Sequence, residues 1–169
     1  MKPQKQKYRH DPANGVWGDC ARTALAVLLD LDRDDVPHFF DGGVTTKEAD
    51  ARREAFLSSL GLRSIGMPMN GSLKEVLQSI EHYNPGVQYI LIGKSRAGCA
   101  HEVVVSEGNI AWDPSLDDNG IVGPDEESGF FWVTFIGVPL PHDGVAVVDA
   151  AIASAKAKLA ARSTPGAQP

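Results

Sequence analysis

NGVWGDCARTALAVLLDL, residues Asn14–Leu31, is the stretch from which the organisation of the chain can be read. Gly15 and Gly18 permit sharp backbone turns, and Asp19 is of a residue type that caps helices. From about Ala21 the apolar residues Ala24, Leu25, Leu28, Leu29 and Leu31 recur at helical spacing, mostly on one broad face. The spacing predicts a buried helix with Cys20 in its first turn. There the backbone N–H groups lack intrahelical acceptors and the macrodipole presents about half a unit of positive charge, a setting that favours a thiolate. Cys20 is accordingly a candidate nucleophile. A small core cysteine fits the same local pattern, because free Cys is among the most buried residue types.

After this helix, DDVPHFF (Asp34–Phe40) closes the segment with a proline and two aromatic residues. Thr45-Thr46-Lys47-Glu48 matches a capping box and opens a second helix, Lys47 to Leu60, that stops at Gly61. Leu62–Met69 reads as a short extended segment weakened by Gly66 and Pro68. Ser72-Leu73-Lys74-Glu75 is another capping box, starting a helix that runs to about Tyr83 and ends at Asn84-Pro85-Gly86.

The pattern then changes. Val87–Gly93, Glu102–Val105, Asn109–Trp112 and Phe130–Val138 are short runs rich in β-formers, separated by turn residues. Between the last two lies an acidic, glycine-rich loop, Ser115–Gly129. Val145–Arg162 is alanine-rich and predicts a C-terminal helix. Helices first and an antiparallel sheet afterwards make an α+β class, without the alternation that a doubly wound parallel sheet requires. The expected organisation is a flexible basic arm over residues 1–13, a single domain over 14–162 and a disordered tail over 163–169.

The 169 residues suffice for one domain with a sizeable core. Hydrophobic residues make up 43% and charged residues 22%, ordinary for a soluble globular chain, and the net charge is −6. That balance argues against a nucleic-acid binder held by phosphate contacts. No apolar run approaches the roughly 18 residues that a membrane helix needs. The N-terminus, MKPQKQKYRH, lacks the apolar centre of a signal peptide, so the expected location is cytoplasmic. Cys20 and Cys99 are then expected to be free thiols in a reducing compartment.

A cysteine nucleophile needs a base, and the base needs a partner that holds its tautomer. One predicted hairpin supplies both. His101 begins the strand HEVVV, and Asp113 follows the strand NIAW at a DP step. With Ser106-Glu107-Gly108 as the turn, His101 and Asp113 each lie six residues from Glu107, at the open end of the hairpin. Singly, Asp113 also fits a turn-initiating Asp before proline, and His101 a histidine satisfied at a strand end. Together with Cys20 they suggest a Cys-His-Asp triad. Asn14 has the amide chemistry of an oxyanion-hole donor, although Asn-Gly is also a turn dipeptide. Trp17 and Trp112 flank Cys20 and Asp113 in sequence and are candidates for the walls of a substrate groove, or for core packing. No Cys/His spacing resembles a zinc site, and metal ligands are not expected.

NGVWGDCARTALAVLLDLDRDDVPHF and HEVVVSEGNIAWDP resemble the two signature blocks of papain-like cysteine hydrolases, nearest in style to C39-like peptidases. More narrowly, they resemble a family of small phage and bacterial proteins that read GDC, a helix ending in VPHF, then HAVV and a DP step. The resemblance implies a papain-like fold, with a nucleophile helix carrying Cys20 packed on an antiparallel sheet carrying His101 and Asp113. Papain-like enzymes commonly place a glutamine several residues before the cysteine; this chain has the shorter Asn14 there. The implied activity is hydrolysis of an amide, isopeptide or ester bond in a peptide or protein, without metal or organic cofactor. In a phage setting the protein would act on host components in the host cytoplasm. Acyl transfer to an amine, as in transglutaminase-like enzymes, and non-catalytic capture of a peptide or host factor are the alternatives.

Overall fold

A computed structural model describes residues 1–139 and, beyond them, Ala153. The remainder of the alanine-rich segment expected to be a helix, and the tail over 163–169, lie outside the described residues. Met1–Gly137 form one compact unit.

Helix α1 spans Cys20–Leu28, and every residue from Ala21 to Val27 is buried. It packs on the sheet at strands β2 (Tyr89–Lys94) and β3 (Ala100–Ser106). Ala24, Leu25 and Val27 share a core with Ile90 and Val104 of those strands. Val36 and Phe39 join the same core, together with Ala49 and Leu57 of helix α2, Thr46–Ser59. Each large aliphatic side chain fully buried here contributes roughly 1.5–3 kcal/mol, so α1 is anchored along its whole length.

The two capping boxes form as expected from local chemistry. The Thr45 hydroxyl accepts from the Glu48 N–H, and the Glu48 carboxylate accepts from the Thr45 N–H. Ser72 and Glu75 do the same at the start of α3, Leu73–Tyr83. Val76 and Ile80 of α3 cover the other face of the sheet, against Tyr89, Leu91, Val103 and Val105.

Strand β1 is Arg63–Met69, β4 is Asn109–Trp112 and β5 is Phe131–Gly137. The described residues thus form three α-helices and one five-stranded antiparallel sheet of order β1-β5-β2-β3-β4. The class is α+β. Pro68 is tolerated because β1 is an edge strand. No helix among the described residues is long and apolar enough to cross a membrane.

Two expectations change. Asp19 stands at the N-cap of α1 without capping it through its side chain. Its buried carboxylate accepts instead from the backbone N–H groups of Lys7 (2.9 Å) and Tyr8 (2.7 Å) and from Arg22 Nε (2.9 Å). The arm over residues 1–13, expected to be flexible, is consequently seated on the domain. The Gln6 N–H donates to the Pro114 carbonyl at 2.7 Å, and Trp112 Nε1 donates to the Gln4 carbonyl at 2.7 Å. Lys5 and Arg9 pair with Asp118 and Asp117 of the acidic loop. Those exposed ion pairs add little stability; the buried backbone bonds set the path of the arm.

The loop between β4 and β5 lies against β2. A Cβ added to Gly93 would fall 2.6 Å from the Gly123 carbonyl oxygen and 2.8 Å from Ile121 Cγ2. The absent side chain is what lets the loop approach. Gly93→Val should therefore cost about 1–3 kcal/mol in urea unfolding through overpacking. Gly66→Val on the open edge strand, where nothing lies within 4 Å of the added Cβ, should change stability by less than about 0.5 kcal/mol.

Candidate active site

His101 is buried at the start of β3, and its Nε2–H donates to Asp113 Oδ1 at 2.7 Å. Asp113 Oδ1 also accepts from the Ser115 N–H at 2.8 Å, and Oδ2 accepts from the Gly120 N–H at 2.7 Å. The acidic loop thus supplies two of the three donors that hold this carboxylate. Burial alone would raise the Asp113 pKa, but the His101 bond and the two backbone N–H groups outweigh it and hold the carboxyl well below its usual range. Burial likewise opposes the His101 imidazolium. The bond to Asp113, with hydrogen-bonding and Coulombic attraction from the Cys20 side chain, wins and pushes the ring up to about 10. With Nε2 on Asp113, Nδ1 is the nitrogen left for Cys20.

Asp113 reaches His101 by a route that the strand pattern does not reveal. The turn between β3 and β4 has two central residues, Glu107 and Gly108, both with positive φ (52° and 68°), and Ser106 pairs with Asn109. That tighter turn, continued in plain register, would set Asp113 opposite Glu102, on the wrong side of the sheet for His101. A register shift intervenes: Val105 pairs with Ile110, but Val104 pairs with Trp112. Ala111 is the extra residue of this bulge. Beyond it, the ladder's register carries Asp113 to Val103, two residues along the strand from His101 and on its side of the sheet.

Cys20 opens α1 and is half-buried, unlike the buried residues that follow it. As a residue of the first helical turn, its N–H has no intrahelical acceptor. A buried ion pair lies behind it. Arg53 of α2 bonds Glu102, the residue after His101, and both side chains are less than a tenth exposed. Burial works against the Arg53 charge, but Glu102 outweighs it, and Cys20 adds a smaller attraction of the same sign. The pair as a whole carries no net charge, the Arg53 cation being matched by the Glu102 carboxylate.

The other sequence candidates separate. Asn14 is exposed in a short turn over Pro12–Asn14, and its amide donates to Asp11 at 2.6 Å. One of its two amide hydrogens is committed locally, the role that Asn-Gly dipeptides usually play. Trp112 packs on the α1 core, as the alternative reading expects, and its Nε1–H donates to the Gln4 carbonyl. Trp17 does line a cavity beside the start of α1. Cys99 belongs to the turn between β2 and β3, with its sulfur 3.6 Å from the Ser95 hydroxyl, and is not paired with Cys20.

Gln6 is a residue that the sequence does not single out. It is buried, and its backbone runs between Pro114, beside Asp113, and the Lys7–Tyr8 segment held by Asp19, beside Cys20. One of its amide hydrogens goes to the Tyr8 carbonyl at 2.9 Å. No spacing rule marks it, because the turn over 11–16 lengthens the path between Gln6 and Cys20 to 14 residues.

No protein-family model matches the chain, and no characterised protein or solved structure shows significant similarity to it.

The geometry sets the pH response. His101 has a folded-state pKa near about 10 against an ordinary 6.5, so its contribution to stability is complete below pH 6.5 and is lost as pH rises through 10. The urea midpoint of the wild type should fall over that window, whereas that of His101→Gln should lack this component. Deletion of Ala111 should remove the bulge and part Asp113 from His101. In an NMR titration the imidazole midpoint should then drop toward its ordinary value, as it should in Asp113→Asn.

Proposed function

We propose that this chain is a cysteine hydrolase of papain-like architecture, acting on an amide, isopeptide or ester bond of a peptide or protein. The observation that carries the reading is the position of His101, bonded through Nε2 to a fixed carboxylate; the attraction of the Cys20 side chain for the imidazolium supports it. An imidazolium is the partner that a thiolate needs, and a half-buried cysteine at a helix start can meet a carbonyl carbon.

In the proposed reaction Cys20 Sγ attacks the carbonyl carbon and the carbonyl π electrons move to oxygen. The Cys20 N–H and, in place of Asn14, the second amide hydrogen of Gln6 are the proposed donors to that oxyanion. Collapse breaks the bond to the leaving group, which takes a proton from His101 and departs as an amine or alcohol. The neutral ring then removes a proton from water, and the hydroxide attacks the thioester. Carboxylic acid leaves, and the thiolate–imidazolium pair is restored. Asp113 keeps the ring oriented throughout and is not itself protonated.

Iodoacetamide should label Cys20 at pH 7 roughly tenfold or more faster than Cys99, and His101→Ala should remove that excess. p-Nitrophenyl acetate should leave an acetyl group on Cys20, visible by intact mass and absent from Cys20→Ala. Asp113→Asn should slow turnover of the ester by about 10²–10⁴-fold, and Gln6→Ala by about 10²–10³-fold. Equal labelling of Cys20 in wild type and His101→Ala would sink the proposal. Acetyl transfer to added amines in preference to water would assign the same site to acyl transfer.

A further inference from the structure

Beside the start of α1 the surface sinks into a cavity of about 460 Å³, lined by Tyr8, Val16, Trp17, Arg22, His38 and Asp41 among others. Arg22 belongs to the first turn of α1, which Cys20 opens, so the cavity lies at the same end of that helix as the proposed nucleophile. Its walls are held in place. Tyr8 hangs from Asp19 through its backbone, and its ring stacks on His38 with centroids 5.9 Å apart and planes 16° from parallel. His38 Nε2–H donates to the Trp17 carbonyl at 3.0 Å, which leaves Nδ1 as an acceptor. The Trp17 indole lies against Gly43, where an added Cβ would come within 2.4 Å of the ring.

The charges lining the cavity are unequal in what they can still bind. Arg22 is committed to the buried Asp19 carboxylate at 2.9 Å and lies 3.7 Å from Asp34, with its side chain only 10% exposed. Its guanidinium also stands 5.8 Å from the Tyr8 ring. The exposed Asp41 carboxylate, by contrast, has no hydrogen-bond or ion-pair partner among the described residues. What remains available is a carboxylate, an imidazole lone pair and the electron-rich faces of aromatic rings. All of these attract positive charge.

We propose that the cavity is a subsite for a basic side chain, Lys or Arg, of the peptide or protein cleaved at Cys20. The identification of the occupant as part of a substrate rests on the hydrolase reading; the selectivity for a cation does not. The test uses the full chain carrying Cys20→Ala, titrated with the N-acetyl methylamides of lysine, arginine, norleucine and glutamate. Binding is followed by the NMR shift of the Trp17 indole N–H. Lysine and arginine derivatives should move this resonance saturably, while norleucine and glutamate derivatives should not. Asp41→Asn should weaken lysine binding about tenfold, and Asp41→Lys should abolish it. Equal response to norleucine, preference for glutamate, no binding by any derivative, or indifference to Asp41→Asn would each overturn the proposal. Acetylation of wild-type Cys20 by p-nitrophenyl acetate, which brings no side chain to the cavity, reports separately on the hydrolase reading. Cation binding without acetylation would keep the subsite and remove the hydrolase; acetylation without cation selectivity would do the reverse.

Discussion

A nine-residue helix whose interior is buried on every side is the constraint that the other parts answer to. One face of α1 rests on β2 and β3, and the remainder needs cover from elsewhere. Val36, Phe39 and α2 supply most of it. The arm adds to it: Lys7 and Tyr8 are held at the N-terminal end by the buried Asp19 carboxylate, and Gln4 and Lys5 bond the Leu31–Arg33 segment that follows the helix. A buried carboxylate needs several donors, and Asp19 has three: two backbone N–H groups and the Arg22 guanidinium. The same residue thus ties Lys7 and Tyr8 of the arm to Arg22 at the position just before Cys20 opens the helix.

A second carboxylate does comparable work at the opposite side of the candidate site. Asp113 is held by His101 and by two N–H groups of the loop that follows it, and that loop lies flat because Gly93 has no side chain. Orientation of the imidazole is therefore distributed over β3, β4 and the 115–129 loop. The Arg53–Glu102 pair shows the cost of such an arrangement: Arg53 Nε and Glu102 Oε2 are buried without hydrogen-bond partners among the described residues. Hydrophobic replacements of similar volume are often neutral or stabilising at such a position, so the pair is weak evidence for stability.

Much of the fold is legible in the sequence because its signals are local. Both capping boxes are reciprocal contacts between residues three apart, and both form. The hairpin between β3 and β4 follows from a glycine after Glu107 and from β-formers on either side. Symmetry about Glu107 predicts the pairing of His101 with Asp113, and the contact exists, yet the symmetry is not its cause. The turn is one residue tighter than expected, and the Ala111 bulge restores the side of the sheet that the turn alone would have lost. Asn14 makes a related point: its distance from Cys20 along the chain does not reveal that its amide donates to Asp11 within the turn.

The sequence by itself determined which segments become helices and strands, where α1 begins, and that a cysteine, a histidine and an aspartate occupy element ends. Those outcomes depend on periodicity, capping and turn chemistry, whose range is a few residues. Tertiary structure alone decided that Asp113 shares a side of the sheet with His101, that Gln6 and Tyr8 lie beside α1, that Trp17 lines a cavity and that Trp112 packs on the α1 core. Each of these follows from packing between residues far apart in the chain, where a single bulge or a single buried carboxylate selects among placements that local pattern leaves equal.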